Sequence, residues 1–276
     1  MRISLVQVDA FAAGPFTGNP AAVMMVPHWL PDAVLQGIAA DNNLSETAFL
    51  VPCETGTAHF ELRWFTPQTE VELCGHATLA SGHVVLEALQ DLAEVRFQTR
   101  RAGVLAVARA QSGYDLLLPA APVDRAVTGS AALAAALGAQ PAEVHARGHD
   151  HLVAVFESPD EVRALRPDFQ AMKALAAPDI DLMVIATAPG EATDILSRVF
   201  VPACGIDEDP VTGSAHAVLA PFWAARLGRN VFTAEQASQR GGRMTCQLAG
   251  SSVILTGQAR TVIRGEYDLP DTALPG

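Results

Sequence analysis

The sequence predicts an α+β chain built from two similar, strand-rich halves, and three observations carry that prediction. Many segments alternate apolar and polar residues and close on Gly, Pro or Asn, as half-buried strands do. An Arg-x-Phe-x-Pro stretch, a short loop and then Gly-x-Ala occur twice: "RWFTP" from Arg63 leads into "CGHAT", and "RVFVP" from Arg198 leads into "TGSAH". Each copy then enters a run free of Asp, Glu, Lys and Arg, residues 73–86 and 210–225. A helix without charge on any side is normally buried on every side.

Taken in order, "MRISLVQVDAF" reads as a first strand, with Gln7 and Asp9 breaking any apolar run that could serve as a signal peptide. "PDAVLQGIAADNNL" reads as a helix with Pro31 at its start and Asn at its C-terminal cap. Strands are expected in "AHFELRWFTP", "AEVRFQT", "GVLAVARA", "YDLLLPA", "HLVAVFES", "RMTCQLAG" and "SSVILTG". "GSAALAAALGAQP" is a further helix, with Ser130 as N-cap and Gly138 just past its end. The junction between halves falls near residue 119, giving domains of 1–118 and 119–276, with a final strand that could cross back to the first. Gly75 and Gly213 lie 138 positions apart, half the chain, which fits a duplicated domain and not a solenoid repeat.

Composition narrows the function. A chain of 276 residues that is 50% hydrophobic can bury substantial cores. A net charge of −12 with only 18 Lys plus Arg offers no basic stripe for a phosphate backbone, so nucleic acid is not an expected partner. No stretch is apolar enough to span a bilayer; "TGSAALAAALGAQPA" is mostly alanine. Cys53, Cys74, Cys204 and Cys246 show no CxxC spacing, which argues against a disulfide framework or zinc knuckle and for a reducing cytoplasm. A soluble, cytoplasmic protein is the expectation. No GxGxxG, Walker, HxH or HExxH pattern occurs, and His76 and His83 lack ligand spacing, so neither nucleotide cofactor nor metal is expected.

The repeated glycines point to a ligand. A buried helix start carries N–H donors without intrahelical partners and a partial positive charge, and Gly there lets a carboxylate or phosphate approach the backbone. Two such starts, at Gly75 and Gly213, would form a carboxylate clamp between the two halves; the bland alternative is that His76 and Ser214 merely satisfy their own helix starts. Cys74 and His76 are only two residues apart at a strand-to-helix turn, a spacing at which a Cys–His nucleophile pair does not easily form. Asp209 precedes the second helix start, where an acid suits the dipole, and Glu46 opens a strand after a helix cap.

Several long stretches in order, "VDAFAAGPFTGNPAAV", "NNLSETAFL", "LRWFTPQTEVELCGHATLASGHVV", "FVPACGIDEDPVTGSAHAVLAPFWAARLG" and "QASQRGGRM", make the chain similar to the PhzF family of phenazine-biosynthesis-like proteins. It most resembles the branch that includes animal phenazine-biosynthesis-like domain proteins; a remoter similarity is to diaminopimelate epimerase. The resemblance implies two pseudo-symmetric domains, each a barrel-like sheet around a central helix, and cofactor-free isomerisation of the kind performed on trans-2,3-dihydro-3-hydroxyanthranilate. It implies Glu46 as general acid–base residue, His76 and Asp209 as its catalytic companions, and Gly75, Gly213 and Ser214 as substrate-binding. No cofactor is implied, the partner is a small carboxylate, and a homodimer is compatible with it. Diaminopimelate epimerase uses a cysteine pair, whereas Thr212 stands opposite Cys74 here. A racemase using Cys74 and a non-catalytic carboxylate-binding or interaction protein are the alternatives.

Overall fold

A computed structural model of the chain describes residues 1–128, 131–177 and 180–270. It separates into two units, Met1–Leu118 with the chain from Leu255 onward, and Pro119–Ile254. The first unit contains β1 (Arg2–Ala10), β2 (Asn19–Met25), α1 (Asp32–Asn42), β3 (Glu46–Pro52), β4 (Phe60–Phe65), β5 (Glu70–Val71), α2 (Gly75–Ala88), β6 (Glu94–Thr99), β7 (Val104–Arg109) and β8 (Tyr114–Pro119). The second contains β9 (Arg125–Ala126), α3 (Ala131–Leu137), β10 (Glu143–Arg147), β11 (His151–Val155), α4 (Pro159–Ala164), α5 (Phe169–Lys173), β12 (Met183–Pro189), β13 (Ile195–Val201), β14 (Ile206–Asp209), α6 (Gly213–Leu227), β15 (Val231–Gln236) and β16 (Gly242–Ala249), and β17 (Ser252–Gly257) runs from it into the first. The last strand, β18 (Ala259–Asp268), returns to the first unit and pairs antiparallel with β1, so the second unit stops at Ile254.

Within each unit the same pairing sequence recurs. In the first, β1–β2 is antiparallel, β2–β3 parallel, β3–β4 antiparallel, β4–β6 parallel and β6–β7 antiparallel. In the second, β10–β11, β11–β12, β12–β13, β13–β15 and β15–β16 follow that order of directions. The repeated arginine explains why the motif is kept. Arg63 Nε and Nη2 donate to the two carboxylate oxygens of Glu70, both at 2.7 Å, and Arg198 grips Glu208 the same way at 2.7 and 2.8 Å. Each guanidinium also lies over the Phe two positions on, at 4.9 Å for Phe65 and 5.1 Å for Phe200. The planar fork thus ties the short strand after the loop back to its neighbour while its charge is compensated on both sides.

The two charge-free runs become the long buried helices. α2 packs against β1, β2, β3, β6, β7 and β18, which makes it the central helix of a curved, strand-rich unit. Gly82 marks its closest approach to the sheet: a Cβ there would sit 2.3 Å from Cγ1 of Val107. Gly82→Ala is expected to cost about 1–3 kcal/mol of unfolding free energy in urea, as overpacking of a close-packed core does. The opposite face of β3 and β4 is covered by α1, where Phe49, Val51 and Phe65 join Leu35 and Ile38 in one apolar cluster. α1 ends as its sequence indicated: Asn43 adopts φ 47° and its backbone N–H donates to Ala39. Gly138 follows α3 with φ +74°, while Ser130, its expected N-cap, lies outside the described residues. Among the described residues, no helix is long and apolar enough to cross a membrane.

Candidate active site

In the first unit the chain enters α2 through Cys74, whose extended backbone (φ −137°, ψ 107°) turns the strand segment into the helix; its side chain makes no cap hydrogen bond. His76 is therefore on the first turn, buried, with no role in capping its own helix. Glu46 is the first residue of β3, and its Oε2 lies 3.0 Å from His76 Nε2. Close as they are, neither atom has a partner in hydrogen-bond alignment, so the contact is electrostatic in this state and leaves both atoms able to bond an incoming group. The other imidazole nitrogen, Nδ1, lies 3.1 Å from the side-chain amide nitrogen of Asn19 and 3.5 Å from Cys74 Sγ. Asn19 opens β2 and is fully buried, which fixes the ring from the side away from Glu46.

Burial by itself would lower the pKa of His76, but the negative charges that Cys74 and Glu46 can carry beside it outweigh burial and hold it well above the ordinary value. Cys74 shifts in the same direction for a different reason. Burial, reinforced by the Glu46 charge and opposed by His76, pushes the thiol up to about 11. Residues 74 and 76 meet at 3.5 Å, because an extended residue followed by the first helical turn swings both side chains to one side. The pair is nevertheless unsuited to nucleophilic attack at neutral pH, because the thiol stays protonated.

Glu46, Cys74 and His76 each offer one donor atom within 4.8 Å of the others, a combination that residue spacing did not reveal. A soft divalent ion needs ligands at about 2.0–2.3 Å. The ring lies between its neighbours, Nδ1 toward Cys74 and Nε2 toward Glu46, so one ion cannot take all three ligands until the imidazole turns. The donor set is suitable for a metal and its present orientation is not.

In the second unit Asp209 ends β14 and is buried. The Thr212 hydroxyl donates to its Oδ2, which leaves Thr212, at the N-cap of α6, making no side-chain cap. Gln236, fully buried at the end of β15, locks this turn: its Nε2 donates to the Asp209 carbonyl at 2.7 Å and to Thr212 Oγ1 at 3.1 Å, and its Oε1 accepts from the Thr212 N–H at 2.8 Å. Ser238 donates to the Pro210 carbonyl at 2.8 Å, and His216 Nδ1 donates to the Thr212 carbonyl at 2.8 Å. Gly213 is buried and Ser214 half-buried on the first turn of α6. A single Gly, with no side-chain cap before it, thus starts each central helix, with backbone donors suited to an oxyanion.

The structure brings Glu46, Gly75 and His76 together in the first unit and sets Asp209, Gly213 and Ser214 around one helix start in the second. Sequence reasoning missed Asn19, Gln236 and His216. Asn19 stands in "TGNP", where a polar residue at the start of a buried strand is a signal, and Gln236 opens "QASQRGGRM".

Comparison with known proteins agrees with this architecture along the whole chain. An uncharacterised isomerase of Pseudomonas aeruginosa is 45% identical, over 98% of this chain and 100% of its own length. A human phenazine biosynthesis-like domain-containing protein is 34% identical, over 96% of this chain and 99% of its own. The crystal structure of a phenazine biosynthesis protein of the PhzF family from Enterococcus faecalis superposes with a TM-score of 0.88 at 42% identity, covering 98% of this chain and 100% of that one. With the family profile described as phenazine biosynthesis-like protein matching residues 8–265, the chain belongs to the PhzC-PhzF family.

Proposed function

We propose that this protein is a cofactor-independent isomerase that moves a proton within a small carboxylate substrate, cyclic in the related reaction of trans-2,3-dihydro-3-hydroxyanthranilate. The observation that carries the reading is the buried Glu46 carboxylate set 3.0 Å from His76 at a helix start with no side-chain cap. Backbone N–H groups at Gly75 take a substrate oxyanion, which needs such donors and is favoured by the helix dipole. Glu46 removes a proton from carbon and returns it to another carbon on the same face, one carboxylate serving as base and then acid. His76, held by Asn19, orients Glu46 and hydrogen-bonds the substrate's polar groups. In the second unit Gln236 keeps Asp209 and Thr212 in place beside Gly213 and Ser214 at the start of α6, where the same kind of backbone donors suits an oxyanion.

Solvent-deuterium incorporation into a turned-over carboxylate tests the reading directly. An isomerase introduces the label and a binding protein does not, so absence of label in any ligand that binds would leave the non-catalytic alternative standing.

The second reading, a racemase with Cys74 as base, is favoured by the Cys74–His76 contact at 3.5 Å. It requires a thiolate that a thiol pushed up to about 11 does not supply at neutral pH. Cys74→Ala is therefore expected to keep turnover within a few-fold of wild type while losing roughly 1 kcal/mol of stability for the buried sulfur. Loss of all turnover in a folded Cys74→Ala protein would revive the racemase.

A further inference from the structure

One buried polar group on the site face has no task in the mechanism above. Trp64, on β4, is 1% exposed, and its indole Nε1 has no hydrogen-bond partner among the described residues. A buried N–H left unbonded costs about 1–3 kcal/mol, so a native structure retains one where something else completes it.

Register places this indole beside the proposed base. Trp64 pairs with Ala48 of β3, and Glu46 lies two residues before Ala48, hence on the same face. Glu46 and Trp64 are thus diagonal neighbours, roughly 7–8 Å apart in such pairings and within reach of an aromatic side chain. That face is the one α2 covers, because Glu46 meets His76 of α2, whereas Phe49 and Phe65, on the other face, meet edge-to-face with ring centroids 5.6 Å apart and join Leu35 and Ile38 of α1 in one apolar cluster. Ala48 contributes only a methyl group, which leaves the indole to fill the space above it.

The other side of Trp64 leads to the same place. It pairs with Val71 of β5, three residues ahead of Cys74. In the second unit the matching pair is Val199 with Asp209. The position that carries a site carboxylate in one unit is apolar in the other, and its cross-strand partner there is the unbonded indole.

Resting on the isomerase reading, we propose that Trp64 Nε1–H is a substrate-binding donor that takes a second oxygen of the ligand. The carboxylate goes to the helix-start N–H groups and the second oxygen to the indole. This sets the ring across Glu46 between two fixed points.

The test uses two probes, benzoate and 2-hydroxybenzoate, with the full chain and Trp64→Phe, which removes the N–H and keeps a ring. Expected results are benzoate affinity unchanged by the substitution and 2-hydroxybenzoate affinity reduced about fivefold, the worth of one neutral hydrogen bond. Equal affinities of 2-hydroxybenzoate for the two proteins would overturn the Trp64 assignment and leave the isomerase reading in place. Failure of both probes to bind wild-type protein would remove the carboxylate site and the Trp64 role with it, and benzoate binding without 2-hydroxybenzoate binding would overturn the Trp64 role alone. Should Trp64→Phe not fold, the indole N–H resonance of Trp64 in wild-type protein, assigned with Trp29→Phe and Trp223→Phe, is expected to move on adding 2-hydroxybenzoate and not benzoate. No movement with 2-hydroxybenzoate, or the same movement with both, would overturn the proposal.

Discussion

Glu46→Gln is expected to bind substrate and lose turnover by roughly a hundredfold to ten-thousandfold, the contribution of a positioned general acid–base group. The substitution keeps the shape of the side chain and a hydrogen-bonding oxygen but removes the base, so the loss should fall on kcat while binding persists. Exchange of substrate hydrogen with solvent deuterium requires the same proton abstraction and should fall in parallel. The fold should survive: the side chain is 12% exposed and its close partner is the His76 ring, toward which the new amide can still offer an oxygen. A racemase using Cys74 predicts little change in exchange, and a strand-end Glu without function predicts no change in either measurement. Wild-type turnover and exchange in well-folded Glu46→Gln would take Glu46 out of the mechanism.

Acid is expected to weaken the fold through His216. Burial lowers the pKa of this fully buried imidazole from 6.5 to about 4, with its bond to the Thr212 carbonyl opposing the shift only in part. Between those pH values the unfolded chain binds a proton that the native chain refuses, so stability rises with pH across the window and is lost as pH falls through it. A shift of this size corresponds to about 3 kcal/mol between pH 7 and pH 4. His76 acts with the opposite sign: its pKa is raised, so its contribution is complete below 6.5 and fades as pH climbs through the folded value. Urea titrations from pH 4 to 9 should therefore show a stability maximum near neutrality. His216→Gln lowers stability at pH 7 and should flatten the acid limb specifically; an acid limb of unchanged slope would show that other groups produce it. The measurement also bears on the site, because His216 holds the Thr212 carbonyl in the turn that carries Asp209 and Gly213.

Several features were legible in the sequence because they depend on neighbours along the chain. Alternation marked β4, β6, β7 and β16, since period two shows wherever one face of a strand is buried. Absence of charge located both central helices, and Gly75 and Gly213 are their first residues. The repeated arginine was visible as a pattern, and Glu46 as the opening residue of a strand. What those residues touch was not legible. Asn19 reaches His76 across 57 residues and Gln236 reaches Asp209 across 27, distances at which sequence carries no local signal of contact. The two-residue spacing of Cys74 and His76 argued against a nucleophile pair and did not reveal that backbone geometry at the cap brings the two side chains to 3.5 Å. The unbonded indole of Trp64 likewise exists only once β3, β4 and β5 are in register. Local pattern by itself determined several of the strands and the starts of α2 and α6. Only tertiary packing decided which buried polar atoms meet and which charges shift, because each depends on long-range register and on removal from water.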